Sequence, residues 1–337
     1  MWWRRWLLLQ QLLLLLLGPG AAVAVTPIVA PTNDDGLAIL LLFIDRTNIN
    51  SSDPRLHLRL QQPARGPWVI TPTKPWEAWS ISGFNSVVAG NGTRPHRMYY
   101  SCYEALRSPP RVCLAESRDG LTWVKPPLGL FEQDGSRQNN ILLGAEGCSV
   151  FIDTHPAEPA AARWKMVCSN GENRNIYSYV SADGLRWRGI PSKPLTFSDD
   201  TQPTAVYDNI LGKYVIYVRR NIGAHDAGHR RHIGRCITAN LSDWQSDASR
   251  QTCNGDGPSP CGCEVVFGPD ELDPPNLDVY TSAHMSYPAA SARPVHLFFP
   301  SMFSHFAGTD KHTGPPNARS NDGMVDTRLL VAHDLGE

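Results

Sequence analysis

A chain of 337 residues with 31 Lys and Arg against 32 Asp and Glu carries a formal net charge of −1. That balance gives no electrostatic footprint for nucleic acid or for an anionic membrane surface. With 28 prolines, 27 glycines and 9% aromatic residues, the composition suits a sheet protein with many turns, and the length fits two average domains or one propeller.

Residues 1–24 read as a targeting segment. Met1-Trp2-Trp3-Arg4-Arg5-Trp6 is a basic start, a Leu-rich run follows from Leu7 to Leu17, and Ala22-Val23-Ala24 is a small-residue cleavage site. The apolar run is shorter than the ~20 residues a spanning helix needs. Export is therefore expected, with a secreted or secretory-pathway location. Three sequons agree with it: Asn50-Ser51-Ser52, Asn91-Gly92-Thr93 and Asn240-Leu241-Ser242. Eight cysteines in an exported chain point to disulfides. Cys102 and Cys113 could face each other across a hairpin, as could Cys148 and Cys168; the pairing of Cys236, Cys253, Cys261 and Cys263 stays open.

Residues 25–75 form a lead-in with one apolar strand at 37–45, which could close a ring. Beyond it, a seven-residue box sets the frame. Its full copies are Ser117-Arg118-Asp119-Gly120-Leu121-Thr122-Trp123 and Ser181-Ala182-Asp183-Gly184-Leu185-Arg186-Trp187; a worn copy is Ala239-Asn240-Leu241-Ser242-Asp243-Trp244. Asp-Gly is a turn signal, because Asp bonds the turn backbone and Gly accepts positive φ. The tryptophans recur about every 60 residues.

Three apolar strands precede each box, at 83–89, 97–103 and 112–117, then at 148–153, 163–169 and 175–181, then at 205–208, 214–219 and 234–239. A fourth group lies at 277–287, 295–303 and 327–333. This grammar predicts an all-β protein, a β-propeller of four-stranded antiparallel blades. The blades fall at about 76–126, 139–190, 199–246 and 277–337. Residues 246–276, rich in Cys, Pro and Gly, read as a long disulfide-pinned loop.

The residues resemble a family at this point. Leu42-Phe43-Ile44-Asp45, Pro75-Trp76-Glu77, Arg97-Met98-Tyr99-Tyr100, the first box through Asn139-Asn140-Ile141, Asp200-Thr201-Gln202, Gly212-Lys213-Tyr214-Val215, Asp278-Val279-Tyr280-Thr281 and Asn321-Asp322-Gly323 are similar to the five-bladed propeller glycoside hydrolases of families 32 and 43. They look most like the secreted glycosyl hydrolase family 32 N-terminal-like proteins. The resemblance implies a five-bladed ring, of which about four blades are present in a C-terminally truncated sequence. It also implies a glycosidase, an O-glycosyl hydrolase, acting on carbohydrate. Pro75-Trp76-Glu77 stands near the place of the W-x-N-D-P motif of family 32, and Cys263-Glu264 reverses its E-C letters.

The first strands of a propeller converge on a central funnel, and glycosidic cleavage needs two carboxyls across the scissile bond. Acids at the head of each blade are therefore the candidates: Glu77 at blade one, Asp200 at blade three, and Asp278 at blade four in support. Trp76, Asn140, Gln202, Tyr280 and Arg219 are candidate sugar contacts. Asp119 and Asp183 read as turn-makers. His225, Asp226, His229 and His232 match no standard zinc spacing, so neither metal nor other cofactor is expected. The alternatives to hydrolysis are a carbohydrate-binding propeller without catalysis and a protein-interaction propeller.

Overall fold

The computed structural model describes residues 66–169, 175–191, 195–196, 201–222, 230–242, 263–287, 295–306 and 323–332. The targeting segment, Asn50, Asp199, Asp200, His225, Asp226, His229, Trp244, Cys253, Cys261 and Asp322 lie outside the described residues.

Four antiparallel sheets follow one another along the chain. Blade one is β1 (Ser80–Val88), β2 (His96–Tyr103), β3 (Arg111–Ser117) and β4 (Ile141–Leu143) in that spatial order. Blade two is β5 (Glu146–Ile152), β6 (Trp164–Ser169), β7 (Asn175–Ser181) and β8 (Arg188–Gly189), with β9 (Leu195–Thr196) also on β7. Blade three is β10 (Thr204–Asp208), β11 (Lys213–Ile222), β12 (Arg230–Thr238) and β13 (Glu264–Phe267). Blade four is β14 (Leu277–Tyr287), β15 (Val295–His305) and β16 (Gly323–Thr327), with β17 (Leu330–Ala332) also on β15. This is the expected all-β propeller arrangement.

Burial along the strands explains the stacking. The second strands of blades two and three lie between neighbouring sheets, so both of their faces are buried. Tyr214 to Arg220 of β11 are all buried, and so is the whole of β6. Runs of this kind mark strands covered on both sides. One apolar cluster fills each seam. Val88, Tyr99, Leu114, Val150, Trp164 and Met166 fill that between blades one and two. Val167, Ile176, Ala205, Tyr207, Tyr214 and Ile216 fill the next. Val215, Tyr217, Leu277, Val279, Phe298 and Met302 fill the third. Each such side chain, fully buried, contributes about 1.5–3 kcal/mol. The free face of blade one is covered by its own lead-in, with Ile70 and Trp76 packed on Met98, Tyr100 and Ile141.

Both boxes are tight Asx-type turns. Asp119 Oδ1 accepts from the N–H groups of Leu121 and Thr122 at 2.8 and 2.7 Å, and Asp183 Oδ1 from those of Leu185 and Arg186 at 2.8 and 2.9 Å. These bonds hold both carboxyls below the usual carboxylate range. The turn-maker reading of both residues is correct.

Three details differ from the sequence reading. In blade one the fourth strand does not follow the box directly: Trp123 is outside any strand, and Ile141–Leu143 closes the blade, whereas in blade two β8 begins at Arg188, right after the box. The chain leaves the first box through a single bridge, Val124 to Glu116 at 2.8 Å in both directions, before it turns away. Second, part of the stretch expected as a loop is strand: Glu264–Phe267 pairs with β12, anchored by the Cys236–Cys263 disulfide. The disulfides Cys102–Cys113 and Cys148–Cys168 join the pairs expected to face each other. Third, β15 continues to His305. Among the described residues no helix is long and apolar enough to cross a membrane.

Candidate functional site

The first strands of successive blades meet side by side. Ser86 of β1 bonds the Val150 backbone of β5 in both directions, at 3.2 and 2.9 Å. Ser149 of β5 accepts from Ala205 N–H of β10 at 3.2 Å, and Thr204 of β10 donates to Ser282 O of β14 at 3.2 Å. Gln202 ties all four together. Its side-chain amide donates to Cys148 O of β5 at 2.6 Å and to Asn85 O of β1 at 3.2 Å, and its backbone carbonyl accepts from Thr281 Oγ1 of β14 at 3.5 Å. Gln202 itself leads into β10. A residue read as a sugar contact is thus the point where four blades converge.

Three of the four first strands break their pairing register near their start: β1 between Ile81 and Asn85, β5 between Glu146 and Cys148, and β14 between Val279 and Thr281. Such irregularities bend a strand and re-aim its side chains, and they recur near working sites. In β5 the break falls on Gly147 at φ +54, where an added Cβ would lie 3.5 Å from Thr201 O and 3.6 Å from Gln202 Cα. The head of blade two is pressed against the head of blade three there.

Glu77 ends the single-turn 3-10 helix Pro75–Glu77 and is wholly buried. Its Oε2 takes Lys125 Nζ at 2.6 Å and the backbone N–H groups of Thr73 and Lys74 at 2.8 and 3.1 Å. Its Oε1 takes Tyr100 Oη–H at 2.7 Å. Asn140 extends the chain, donating to Tyr100 Oη and Leu114 O at 2.7 Å each and accepting from Trp76 Nε1 at 2.8 Å. Burial first, and then the Glu77 charge, drive the Tyr100 phenol far above its ordinary value, so it stays a donor. Trp76, Glu77 and Asn140, far apart in sequence, belong to one polar network packed against the free face of blade one.

Asp278 of β14 is also buried. Its Oδ2 takes Arg231 Nη1 at 2.7 Å and faces His305 Nε2 at 2.9 Å, and its Oδ1 takes Arg231 N–H at 3.1 Å. Burial alone would raise this carboxyl, but His305 and Arg231 together hold it below the ordinary value. Tyr280 stands at the register break two residues on. The Arg219 and Arg231 guanidiniums lie 5.5 and 5.8 Å from its ring centroid, within cation–π range.

Sequence reasoning missed Lys125, Arg231 and His305, the counter-charges, because partners distant in sequence leave no local signal. It also missed Glu146, the half-buried first residue of β5, whose Oε2 accepts from Tyr103 Oη–H at 2.7 Å. The rule used for the other blades, an acid at the head of each first strand, would have found Glu146 had the first strand of blade two been started at 146 rather than 148. Among the described residues no group of three or more His, Cys, Asp or Glu is arranged to hold a metal.

No protein-family model matches the sequence, and no curated protein matches it. Solved structures do. An N-acetylgalactosamine deacetylase from F. plautii, in complex with blood group B trisaccharide, is similar at 15% identity over 77% of this chain and 74% of that one, with a TM-score of 0.47. A β-fructofuranosidase from Schwanniomyces occidentalis is similar at 12% identity over 77% of this chain and 48% of that one, TM-score 0.42. An exo-1,5-α-L-arabinanase from a bovine ruminal metagenomic library is similar at 11% identity over 80% of this chain and 86% of that one, TM-score 0.43.

Proposed function

We propose that the protein is exported and acts on a glycan held where its first strands converge. In this reading it hydrolyses a glycosidic bond, with Asp200 and Glu77 as the working carboxylates and Asp278 in support. The observation that carries the reading is the position of Gln202: the residue two after Asp200 joins β1, β5, β10 and β14. A carboxylate two residues before that junction suits the reading, because two-carboxyl cleavage requires acids gathered at one axis. Gln202, Tyr280 and Arg219 would meet sugar hydroxyls and ring faces, with Trp76 and Asn140 behind them, and the chemistry needs no cofactor.

Glu77 and Asp278 favour a second reading, binding without cleavage. Each is shut from solvent and paired with a cation, Lys125 and Arg231 respectively. A carboxylate so saturated is a poor proton donor until those bonds open. The test is a glycan array with a hydrolysis readout, run on the 337-residue chain and on Asp200→Asn. Cleavage by the parent and none by the variant supports hydrolysis. Retained binding without cleavage by either supports the second reading, and neither binding nor cleavage overturns both.

A further inference from the structure

The buried and half-buried acids of the blades are not alike. Glu77 has Lys125, Asp278 has Arg231, and buried Asp153 has Lys165 at 3.5 Å. Glu146 has no Lys, Arg or His at ion-pair distance among the described residues; its one partner is the Tyr103 hydroxyl. A half-buried carboxylate without a counter-charge gives up hydration for little return. Tyr103 donates to Oε2, and no hydrogen bond is made to Oε1 among the described residues. Burial first, and then its bond to Glu146, raise the Tyr103 phenol well above its ordinary value, so it remains the donor and cannot serve as the cation's substitute.

Beside this pair stands an open aromatic wall. Trp79 is 50% exposed. Its backbone N–H donates to Tyr103 O at 3.1 Å, and the two rings meet edge to face at 5.7 Å between centroids. The Gly147 register break fixes Glu146 at this seam, and Ser101 Oγ accepts from Gly147 N–H at 3.1 Å to hold it there. Trp79 on the ring of Tyr103 and Glu146 on its hydroxyl put an indole and a carboxylate without a base around one tyrosine, a pattern that suits an amine carried on a sugar ring.

We infer that the seam between blades one and two binds an amine-bearing saccharide, a hexosamine unit with a free amino group. Its ammonium sits on Glu146 Oε1 and its ring face lies against Trp79. This specifies a ligand class for the glycan reading above and rests on that reading. The pairing also explains why the chain keeps an acid at this seam without supplying a base.

The experiment is calorimetric binding of β-1,4-linked glucosamine oligomers to the 337-residue chain, compared with the N-acetylated and the neutral glucose oligomers of equal length. The parent is expected to prefer the free-amine series, with affinity falling as salt rises. Glu146→Gln, which keeps the side-chain volume and the acceptor for Tyr103, is expected to weaken that series by about tenfold or more, the scale of one charge-assisted hydrogen bond, and to leave N-acetylated binding unchanged. Trp79→Ala is expected to weaken all series that bind, and thermal unfolding of both variants checks that they are folded. Equal affinity for amine-bearing and neutral oligomers, or an affinity unmoved by Glu146→Gln, overturns the inference and leaves the glycan reading standing. Failure of every saccharide to bind sinks both.

Discussion

Gly184 lies so close to Tyr99 that a Cβ added there would be 2.7 Å from the Tyr99 hydroxyl oxygen and 2.8 Å from the Trp164 ring. The Tyr99 hydroxyl donates to Gly184 O at 2.9 Å, and Arg97 Nη1 donates to Asp183 O at 2.5 Å. The second box is thus the clasp by which blade two grips β2 of blade one. The first box makes the same internal turn, yet nothing lies within 4 Å of a Cβ at Gly120.

That contrast gives the first prediction. Both glycines sit at positive φ, +72 and +76, so alanine costs about 1–2 kcal/mol at either. At Gly184 the forced repacking of Tyr99 and Trp164 adds about 1–3 kcal/mol. Gly184→Ala should lower the urea midpoint clearly more than Gly120→Ala does. Equal midpoints would mean that the clasp is not tight.

The Glu77–Lys125 pair gives the second. Glu77→Gln removes the charge facing a lysine only 9% exposed and should destabilise by about 3–5 kcal/mol, because an unpaired buried cation remains. Lys125→Met added to Glu77→Gln should recover much of the loss. A double-mutant cycle measured by denaturant unfolding checks this coupling.

Acidification gives the third. His284 Nε2 lies 3.0 Å from His296 Nδ1, and the ring is packed on Tyr217 and Phe298. Burial, then repulsion from His296, lower its pKa from 6.5 to about 3. In the unfolded chain it would protonate near 6.5. Between those values the unfolded state binds a proton that the folded state refuses. Its contribution is therefore complete above pH 6.5 and lost as pH falls toward 3, at up to about 1.4 kcal/mol per pH unit. His284→Phe should flatten the fall in urea midpoint between pH 6.5 and 4.

The blades were legible in the sequence because strand, turn and box are local. Asp-Gly turns and apolar runs locate β2, β3, β6 and β7 to within a residue or two. The site was legible only by rule. Glu77 and Asp278 were found as acids at blade heads, but their burial was not, since Lys125 lies 48 residues from Glu77 and Arg231 47 from Asp278. The strand at Glu264–Phe267 was hidden for a similar reason: its four residues are mostly exposed, and an outer strand lacks the alternation that reveals an inner one.

Gln202 carries the last prediction, since fold and site meet there. Gln202→Ala removes the donors to Cys148 O and Asn85 O and should cost about 0.5–1.5 kcal/mol, the net range of such hydrogen bonds where water can reach the acceptors. Gln202→Glu should cost more. It places a carboxylate against two carbonyl oxygens, so it replaces attraction by repulsion rather than merely deleting it. If the four first strands are held together at this residue, both variants should also loosen glycan affinity, Glu more than Ala, in the same order as their unfolding midpoints. A stability loss without that ordering in affinity would separate the hub from the ligand, and would place the glycan away from the axis.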